Sequence, residues 1–182
     1  MAISRSPLHE ALYNMLMSTA TLIPVEEYLK TSYAEGDREY IDGVIVERNM
    51  GTTDHAHWQS RFLVYLAVTY PALWVAVECR VQVKTDRFRV ADVLCVEGPR
   101  PQSSVVTEPP FLVIEVLSPD DRVEYMQEKI DDYVSFGVPY VWVVNPRTRR
   151  GYVYTADGMQ EAKDGILRAG DPEIAVPLTE IL

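Results

Sequence analysis

The spacing of apolar residues along the chain predicts three helices. Residues 24–34 begin with a proline and two nearby carboxylates, which suit the first turn of a helix. Apolar side chains recur every three to four positions over residues 53–69, and either Thr53 or Asp54 is the expected N-cap. Residues 121–136 show a third helical pattern, which ends before a glycine and a proline.

Between and after these helices, short apolar runs predict a β-sheet. Two brief runs around Asp42-Gly43 indicate a hairpin, and five longer runs indicate core strands at residues 73–84, 88–96, 111–117, 139–144 and 151–155. The third and fourth core strands are joined through the 121–136 helix, so they are expected to run parallel. The pattern predicts an α/β fold with a mixed central β-sheet flanked by helices, in the order α-β-β-β-α-β, preceded by an N-terminal helix and hairpin.

Length and composition indicate one soluble domain. The 182 residues fit a single domain over 21–182 with a peripheral N-terminal segment, residues 1–20. Cys79 and Cys95 both lie in strand-like runs, where a buried thiol behaves as a small hydrophobe, and residues 1–14 do not resemble a secretory signal. The apolar runs are too short to span a bilayer, so we expect a cytoplasmic protein without membrane contact.

The charge balance argues against a protein that coats nucleic acid. There are 17 Lys and Arg against 27 Asp and Glu, which gives a formal net charge of −10. A protein that neutralises many phosphates carries an excess of Lys and Arg instead. An enzyme that contacts nucleic acid through a small local patch remains compatible with this charge.

Two carboxylates inside apolar strands carry the chemical interest. Asp92 lies in the run Val90–Val96 and Glu115 in the run Phe111–Leu117, and a buried acid is costly unless it has a partner. If the two strands pair, both carboxylates point to one side at one end of the sheet. Close like charges either share a proton or recruit a cation, and Mg²⁺ fits this need. Separate hydrogen bonding, or a position at a frayed strand end, is the structural alternative for each.

A lysine completes the candidate set. On the 121–136 helix Lys129 lies at the border of the apolar stripe, so its ammonium group can extend over the end of the sheet. There it can position a water and offset charge on a phosphate. Helix geometry equally allows an ordinary ion pair with Glu128 or Asp132, and both interpretations stay open.

Asp92 in one strand, Glu115 in the next and a following helix resemble the PD-(D/E)-x-K nuclease superfamily. More narrowly, the chain from Ile23 to Leu182 resembles the Uma-two family of restriction-endonuclease-like bacterial proteins, formerly a domain of unknown function. The matching pieces are Glu39-Tyr40-Ile41-Asp42-Gly43, His55, Ala91-Asp92-Val93, Glu115-Val116-Leu117-Ser118-Pro119, Glu128-Lys129, Tyr133, Gly137-Val138-Pro139 and Trp142-Val143-Val144-Asn145-Pro146.

The resemblance implies a restriction-endonuclease-like fold and a metal-dependent deoxyribonuclease, a hydrolase. Asp92 and Glu115 would bind Mg²⁺ or Mn²⁺, and Lys129 would help to deliver the attacking water. The lysine that the superfamily places two residues after the Glu is Leu117 here, and Lys129 replaces it from the helix. Where related chains often carry an acid in that helix, this chain has Tyr125. A literal Glu-x-Lys at 161–163 follows a turn and lacks an apolar strand, so we treat it as incidental.

Several further residues are candidates for supporting roles. The resemblance favours Glu39 as a residue behind or beside the site, although a solvated charge on a hairpin is the alternative. His55, at a helix N-terminus, can approach a phosphate. Glu78 either supplements the acids or is simply exposed. A local basic set was predicted to contact the DNA backbone and contains Arg80, Lys84, Arg87, Arg89 and Arg122.

The resulting hypothesis is Mg²⁺-dependent hydrolysis of phosphodiester bonds in DNA, with the chain as a homodimer because cutting both strands needs two sites. Two alternatives remain: a protein-interaction module that keeps the nuclease fold without cleaving, and a metal-dependent phosphoesterase acting on small nucleotides. Without metal, Asp92→Asn is expected to be neutral or stabilising because it relieves repulsion between the two acids.

Overall fold

The structure is a computed structural model that describes residues 22–34, 36–49 and 51–182. The predicted peripheral segment, residues 1–20, lies outside the described residues. A single domain over residues 21–182 therefore stays a prediction. No helix in the described part of the chain is long and apolar enough to cross a membrane.

All three predicted helices are present: α1 (Val25–Lys30), α2 (Thr53–Thr69) and α3 (Val123–Phe136). The N-cap of α2 is Thr52 rather than Thr53 or Asp54, because the Thr52 hydroxyl accepts a hydrogen bond from the His55 main-chain N–H at 3.2 Å. Helix α3 ends at Phe136, and its C-cap is Gly137, whose φ of +105° lies in the left-handed region.

The strands form a mixed eight-stranded sheet, with the bounds β1 (Glu39–Ile41), β2 (Val44–Val46), β3 (Leu73–Lys84), β4 (Arg87–Glu97), β5 (Leu112–Val116), β6 (Tyr140–Asn145), β7 (Arg150–Thr155) and β8 (Gly158–Glu161). The order is β2-β1-β4-β5-β6-β7-β8, and β3 pairs with the other edge of β4. Only the β5–β6 pairing in this sheet is parallel, as the β-α-β unit predicts. The predicted mixed α/β architecture is confirmed.

The sheet is covered by a helix on each face. Alternate residues of the central strands point to opposite sides. One set, which includes Trp142, packs against Trp58 and Phe62 of α2. The other set, which includes Val141, packs against Ile130 and Tyr133 of α3. A third, smaller cluster joins α1 to the hairpin through residues 28, 40 and 88.

The C-terminal stretch, which shows only a weak pattern, forms a second small sheet. Strands β9 (Ile166–Ala169) and β10 (Ile174–Pro177) pair antiparallel and are followed by a short 3₁₀ helix, Leu178–Glu180. Leu167, Ile174 and Val176 are fully buried in the core under α2. The small sheet is thus part of the core, although four-residue strands are too short for a clear period.

Candidate active site

The candidate site lies at a fork on one edge of β4. The hairpin strand β1 pairs with the beginning of β4, up to Tyr40–Phe88, whereas β5 pairs with its end, from Val93–Ile114 onward. Between these two pairings the main chain of Val90 faces side chains. Its N–H donates to Glu39 Oε1 at 3.1 Å, and its carbonyl oxygen accepts from Lys129 Nζ at 2.8 Å. The fork therefore draws charged side chains into the sheet.

The fork also brings the two candidate acids together. The antiparallel register pairs Val93 with Ile114, so Asp92 and Glu115 occupy the next facing positions at the end of the β4–β5 ladder. Both side chains are buried, with 3% and 1% of the residue exposed. Both line one cleft of about 320 Å³, together with Lys129, Glu39 and His55.

Glu115 is held by two donors from α3. Lys129 Nζ donates to its Oε2 at 2.7 Å, and the Tyr133 hydroxyl donates to its Oε1 at 3.1 Å. Burial raises the pKa of Glu115 to about 8. The positive charge of Lys129 lowers this pKa, whereas the negative charge of Asp92 raises it. This acid therefore has the greater need for a further positive charge in the cleft.

Lys129 is buried rather than paired at the helix flank. Only 3% of the residue is exposed, and its ammonium group lies 3.2 Å from Glu39 Oε1 in addition to its contact with Glu115. Although burial opposes a charged amine, Glu115 and Glu39 raise the pKa of Lys129, so it carries a proton at neutral pH. The alternative ion pair with Glu128 or Asp132 does not form.

Asp92 is surrounded by three donors. Arg48 donates to Oδ1 at 2.6 Å, and Oδ2 lies 3.1 Å from His55 Nε2 and accepts from the Val116 main-chain N–H at 2.8 Å. Burial alone would raise the pKa of Asp92, but the hydrogen bond from His55 and the charges of Lys129 and Arg48 lower it to about 2. The expectation that Asp92→Asn is tolerated assumed that Asp92 is repelled by Glu115 without compensation. In the structure the three donors stabilise the charge of Asp92.

His55 contributes through Asp92. Its ring is almost fully buried, and although burial opposes protonation, the hydrogen bond with Asp92 raises the pKa of His55. An imidazole held in this way orients the carboxylate beside it. In this structure His55 therefore positions Asp92, and an approach to phosphate stays a prediction.

Glu39 is fully buried, so the alternative of a solvated hairpin charge is wrong. Its Oε2 accepts from Arg89 at 2.8 Å and from the Tyr125 hydroxyl, while its Oε1 faces Lys129. Burial opposes its charge, but Lys129, Arg89 and the hydrogen bond from Tyr125 together lower the pKa of Glu39 to about 2. Glu39 thus lies directly behind the ammonium group of Lys129.

Arg48 is the site residue that sequence reasoning missed. It follows β2, and its guanidinium bridges Asp92 and the exposed Glu78. Glu78 also accepts from Gln59 Nε2 at 2.7 Å, and the same amide donates to the carbonyl oxygen of Asp92 at 2.8 Å. Glu78 therefore binds Arg48 rather than joining the two acids. A lone arginine after a hairpin carries no local pattern that indicates this contact.

The predicted basic set does not form one exposed surface. Arg89 is fully buried between Glu39 and Asp132, and Arg87 is ion-paired with Asp42, Glu128 and Asp132. For Arg89 the prediction is wrong, because it is fully buried between two buried carboxylates. For Arg87, which is half-buried and paired partly with exposed acids, a contact with DNA stays a prediction.

Two other members of the set have neighbours of their own. Arg80 donates to Asp37 at 2.6 Å and stacks on the ring of Tyr28. Lys84 is half-exposed, with its Nζ 3.3 Å from Asp132 Oδ1. For Arg80 and Lys84 a contact with DNA stays a prediction.

The donors at the fork suit a hard divalent ion held partly by water. Asp92 and Glu115 supply carboxylate oxygens, and Mg²⁺ is commonly bound through one or two carboxylates while it keeps several waters. Among the described residues there is no group of three or more His, Cys, Asp or Glu that could hold a metal ion. An ion held by Asp92 and Glu115 would therefore need waters or substrate oxygens to complete its coordination.

Comparison with known proteins agrees with the fold. A putative nuclease belonging to DUF820 from Anabaena variabilis has a similar crystal structure, with a TM-score of 0.74 and 21% sequence identity. The match covers 87% of this chain and 97% of that chain, which shows the restriction-endonuclease-like fold. No curated protein matches the chain.

The family is shown by sequence. A family model described as "Uma2: Putative restriction endonuclease" matches residues 25–180, which is nearly the whole described structure. The matched range includes the hairpin with Glu39, both strand acids and Lys129. The resemblance seen in the sequence is thereby confirmed, and the chain belongs to the Uma2 family of restriction-endonuclease-like nucleases.

Proposed function

We propose that this chain hydrolyses phosphodiester bonds of DNA in a reaction that requires Mg²⁺, with Mn²⁺ as an alternative ion. The carrying observation is the meeting of Asp92, Glu115 and Lys129 in one cleft, although they come from β4, β5 and α3. Membership in a nuclease family supports the same reaction class.

Asp92 and Glu115 would hold the ion through their carboxylate oxygens. When bound, Mg²⁺ neutralises charge on the phosphate and lowers the pKa of a water. Arg48 donates to Oδ1 of Asp92, and Lys129 and Tyr133 donate to the two oxygens of Glu115, so a bound ion would share these oxygens with hydrogen-bond donors.

Lys129 acts as a fixed positive charge. Its ammonium group is anchored by Glu115, Glu39 and the carbonyl oxygen of Val90, so a water or a phosphate oxygen in the cleft meets a donor of defined position. Because its pKa is raised, Lys129 donates hydrogen bonds to developing negative charge and does not accept the proton of the attacking water.

Single substitutions test the proposal. Asp92→Ala, Glu115→Ala and Lys129→Ala should each lower the rate of Mg²⁺-dependent DNA cleavage by about 100-fold or more, the loss typical when a positioned charge is removed. Cleavage of a labelled duplex and circular dichroism of each variant measure rate and folding together. The double variant Glu161→Ala, Lys163→Ala removes the incidental Glu-x-Lys, which does not line the cleft, and should cleave like the unaltered chain.

Three results would contradict the proposal. Full cleavage by folded Glu115→Ala would remove it. A flat calorimetric titration with Mg²⁺ and Mn²⁺ would favour the interaction module instead. Turnover of small phosphodiesters without binding to a duplex at low salt would favour the phosphoesterase.

Cleavage of both strands at one place would require two copies of the site. We therefore propose a homodimer as the form that cuts duplex DNA. Light scattering of the purified chain measures its mass directly, and a monomer that still makes double-strand cuts at low protein concentration would contradict the dimer.

A further inference from the structure

A second pocket adjoins the catalytic cleft. It lies between the N-terminal half of α3 and strands β6 to β8, and its volume is about 470 Å³. Ser118, Asp121, Arg122 and Met126 line both the pocket and the cleft, so the two spaces are direct neighbours.

The wall of this pocket is largely apolar and carries two aromatic rings. Met126 and Ile130 of α3 face Val143 of β6, and Tyr152 and Tyr154 stand beside them on β7. The two tyrosines are two residues apart on one strand, so they point to the same face. Pockets of several hundred Å³ with apolar walls and a few polar groups are typical sites for small planar ligands.

Two arginines line the same pocket. Within the described ranges neither Arg122 nor Arg147 forms an ion pair, whereas Arg48, Arg87 and Arg89 are all engaged by carboxylates. Both are exposed residues. In a chain of net charge −10, guanidinium groups that form no ion pair beside the cleft provide a local attraction for phosphate.

Two carboxylates also line the pocket, and the fold stabilises the charge of each of them. Asp121 is engaged, because its oxygens accept from the Ser118 main-chain N–H at 2.7 Å and from Asn49 Nδ2 at 2.8 Å. Asp54 lies in the first turn of α2, where the positive end of the helix dipole offsets its charge.

We propose that this pocket binds an unpaired nucleotide of the substrate strand next to the scissile phosphate. The base packs against Tyr152 and Tyr154, and the flanking phosphates contact Arg122 and Arg147. A base between a helix and a sheet cannot remain stacked in a duplex, so the preferred substrate is DNA with a single-stranded segment at the cut. The inference rests on the proposed function for the position of the scissile phosphate, but the binding site itself can be tested without cleavage.

Binding of labelled oligonucleotides by fluorescence anisotropy tests the pocket. With the full chain in EDTA, so that no strand is cut, a single strand should bind more tightly than the duplex of the same sequence. Arg147→Gln and Arg122→Gln should each reduce the slope of log affinity against log salt by about 0.7. Tyr152→Leu should weaken single-strand binding about fivefold or more, whereas Tyr152→Phe keeps the ring and should bind normally.

Arg168→Gln is the matched control. Arg168 is a half-exposed arginine of β9, paired with Asp164 and absent from the pocket wall, so the variant loses the same charge elsewhere. Equal binding of duplex and single strand, or equal affinity of Arg147→Gln and Arg168→Gln, overturns the inference. The inference is also overturned if the pocket variants change the oligomeric mass but keep their affinity for oligonucleotides, because the pocket then binds a second copy of the chain.

The two proposals fail in different ways. Selective single-strand binding that depends on Arg147 and Tyr152, without any Mg²⁺-dependent cleavage, supports the pocket and refutes the nuclease. Mg²⁺-dependent cleavage that is lost in Glu115→Ala but insensitive to Arg147→Gln and Tyr152→Leu supports the nuclease and refutes the pocket.

Discussion

Asp92 keeps its negative charge in a nearly dry site because donors from three separate segments converge on it. Arg48 comes from the end of the hairpin, His55 from the first turn of α2, and the third donor is the main-chain N–H of Val116. Breaking a buried ion pair by removing one partner leaves the other charge uncompensated, which is strongly destabilising. The carboxylate therefore contributes to stability as well as to ion binding.

Asp92→Asn should destabilise the metal-free protein by about 3 kcal/mol, because the asparagine leaves Arg48 and His55 without their carboxylate. Urea unfolding in EDTA at pH 7 measures the free energy of unfolding. This replaces the expectation from the sequence, which considered only repulsion between the two acids. An unchanged or increased stability would show that the three donors do not offset the burial of Asp92.

The same substitution has a defined dependence on pH. The pKa of Asp92 is lowered from 3.8 to about 2 in the folded state, so the unfolded chain binds the proton more readily. The stabilisation by ionised Asp92 is fully present above pH 3.8 and is lost as the pH falls through about 2. The difference in the free energy of unfolding between the unaltered chain and Asp92→Asn should therefore decrease as the pH is lowered from 3.8 towards 2.

At the scale of the element, α3 determines how Glu115 is held. Lys129 and Tyr133 are four residues apart, so they lie on one face of the helix, and both donate to Glu115. Tyr125, one turn earlier than Lys129, donates to Glu39 on the other side of the same ammonium group. Tyr125 thus acts as a hydrogen-bond donor to Glu39.

The end of α3 provides a test of the element by itself. Gly137 has a φ of +105°, and its N–H caps carbonyl oxygens of the last turn. In Gly137→Ala the new methyl group would lie 3.4 Å from Pro109 Cγ, so backbone strain rather than crowding sets the cost. We expect a loss of about 1–2 kcal/mol in the free energy of unfolding.

Ser135→Ala, at an exposed position of the same helix, is the control and should change stability little. Both variants should keep their Mg²⁺-dependent cleavage, because neither residue lines the cleft. If Gly137→Ala leaves the free energy of unfolding unchanged, alanine is tolerated at the end of α3, where the backbone is left-handed.

At the scale of the whole molecule, acidity and a nuclease fold are reconciled by where the charges lie. Asp92 and Glu115 contribute to the excess of acid, and one bound Mg²⁺ would change the net charge from −10 to −8. Several arginines are neutralised internally by Glu39, Asp42 and Asp132. Of the described Lys and Arg side chains that form no ion pair, only Arg122 and Arg147 line the cleft or the pocket beside it, so the attraction for DNA is local.

This distribution predicts weak binding of DNA that is sensitive to both metal and salt. The slope of log affinity against log salt should be shallow, roughly −2 to −4, because only a few phosphates are contacted. Mg²⁺ should strengthen binding to a phosphorothioate duplex, which is cut slowly, because the ion reduces the repulsion between the acids of the cleft and the DNA phosphates. This effect should exceed the competition of Mg²⁺ for the phosphates. Anisotropy with and without Mg²⁺ at matched ionic strength measures both effects, and tight binding in EDTA at high salt would contradict them.

The sequence by itself determined the hairpin, the five core strands, the three helices and the two acids, but not the short strands β8 to β10. Alternation and helical period reflect which side of an element is buried, and an acid within an apolar run stands out because its burial requires a partner. For the same reason the pattern of apolar residues places Asp92 and Glu115 on one face of adjoining strands and Lys129 at the border of its helix stripe.

The tertiary structure alone decided which charges neutralise which. Arg48 is 44 residues from Asp92, and Arg89 is 50 residues from Glu39, so no local pattern connects either pair. Both contacts arise because β1 and β5 share one edge of β4 and leave a fork between them. Periodicity identifies the buried face of an element but not the neighbour on that face, and in this protein the neighbours set the charges of the site.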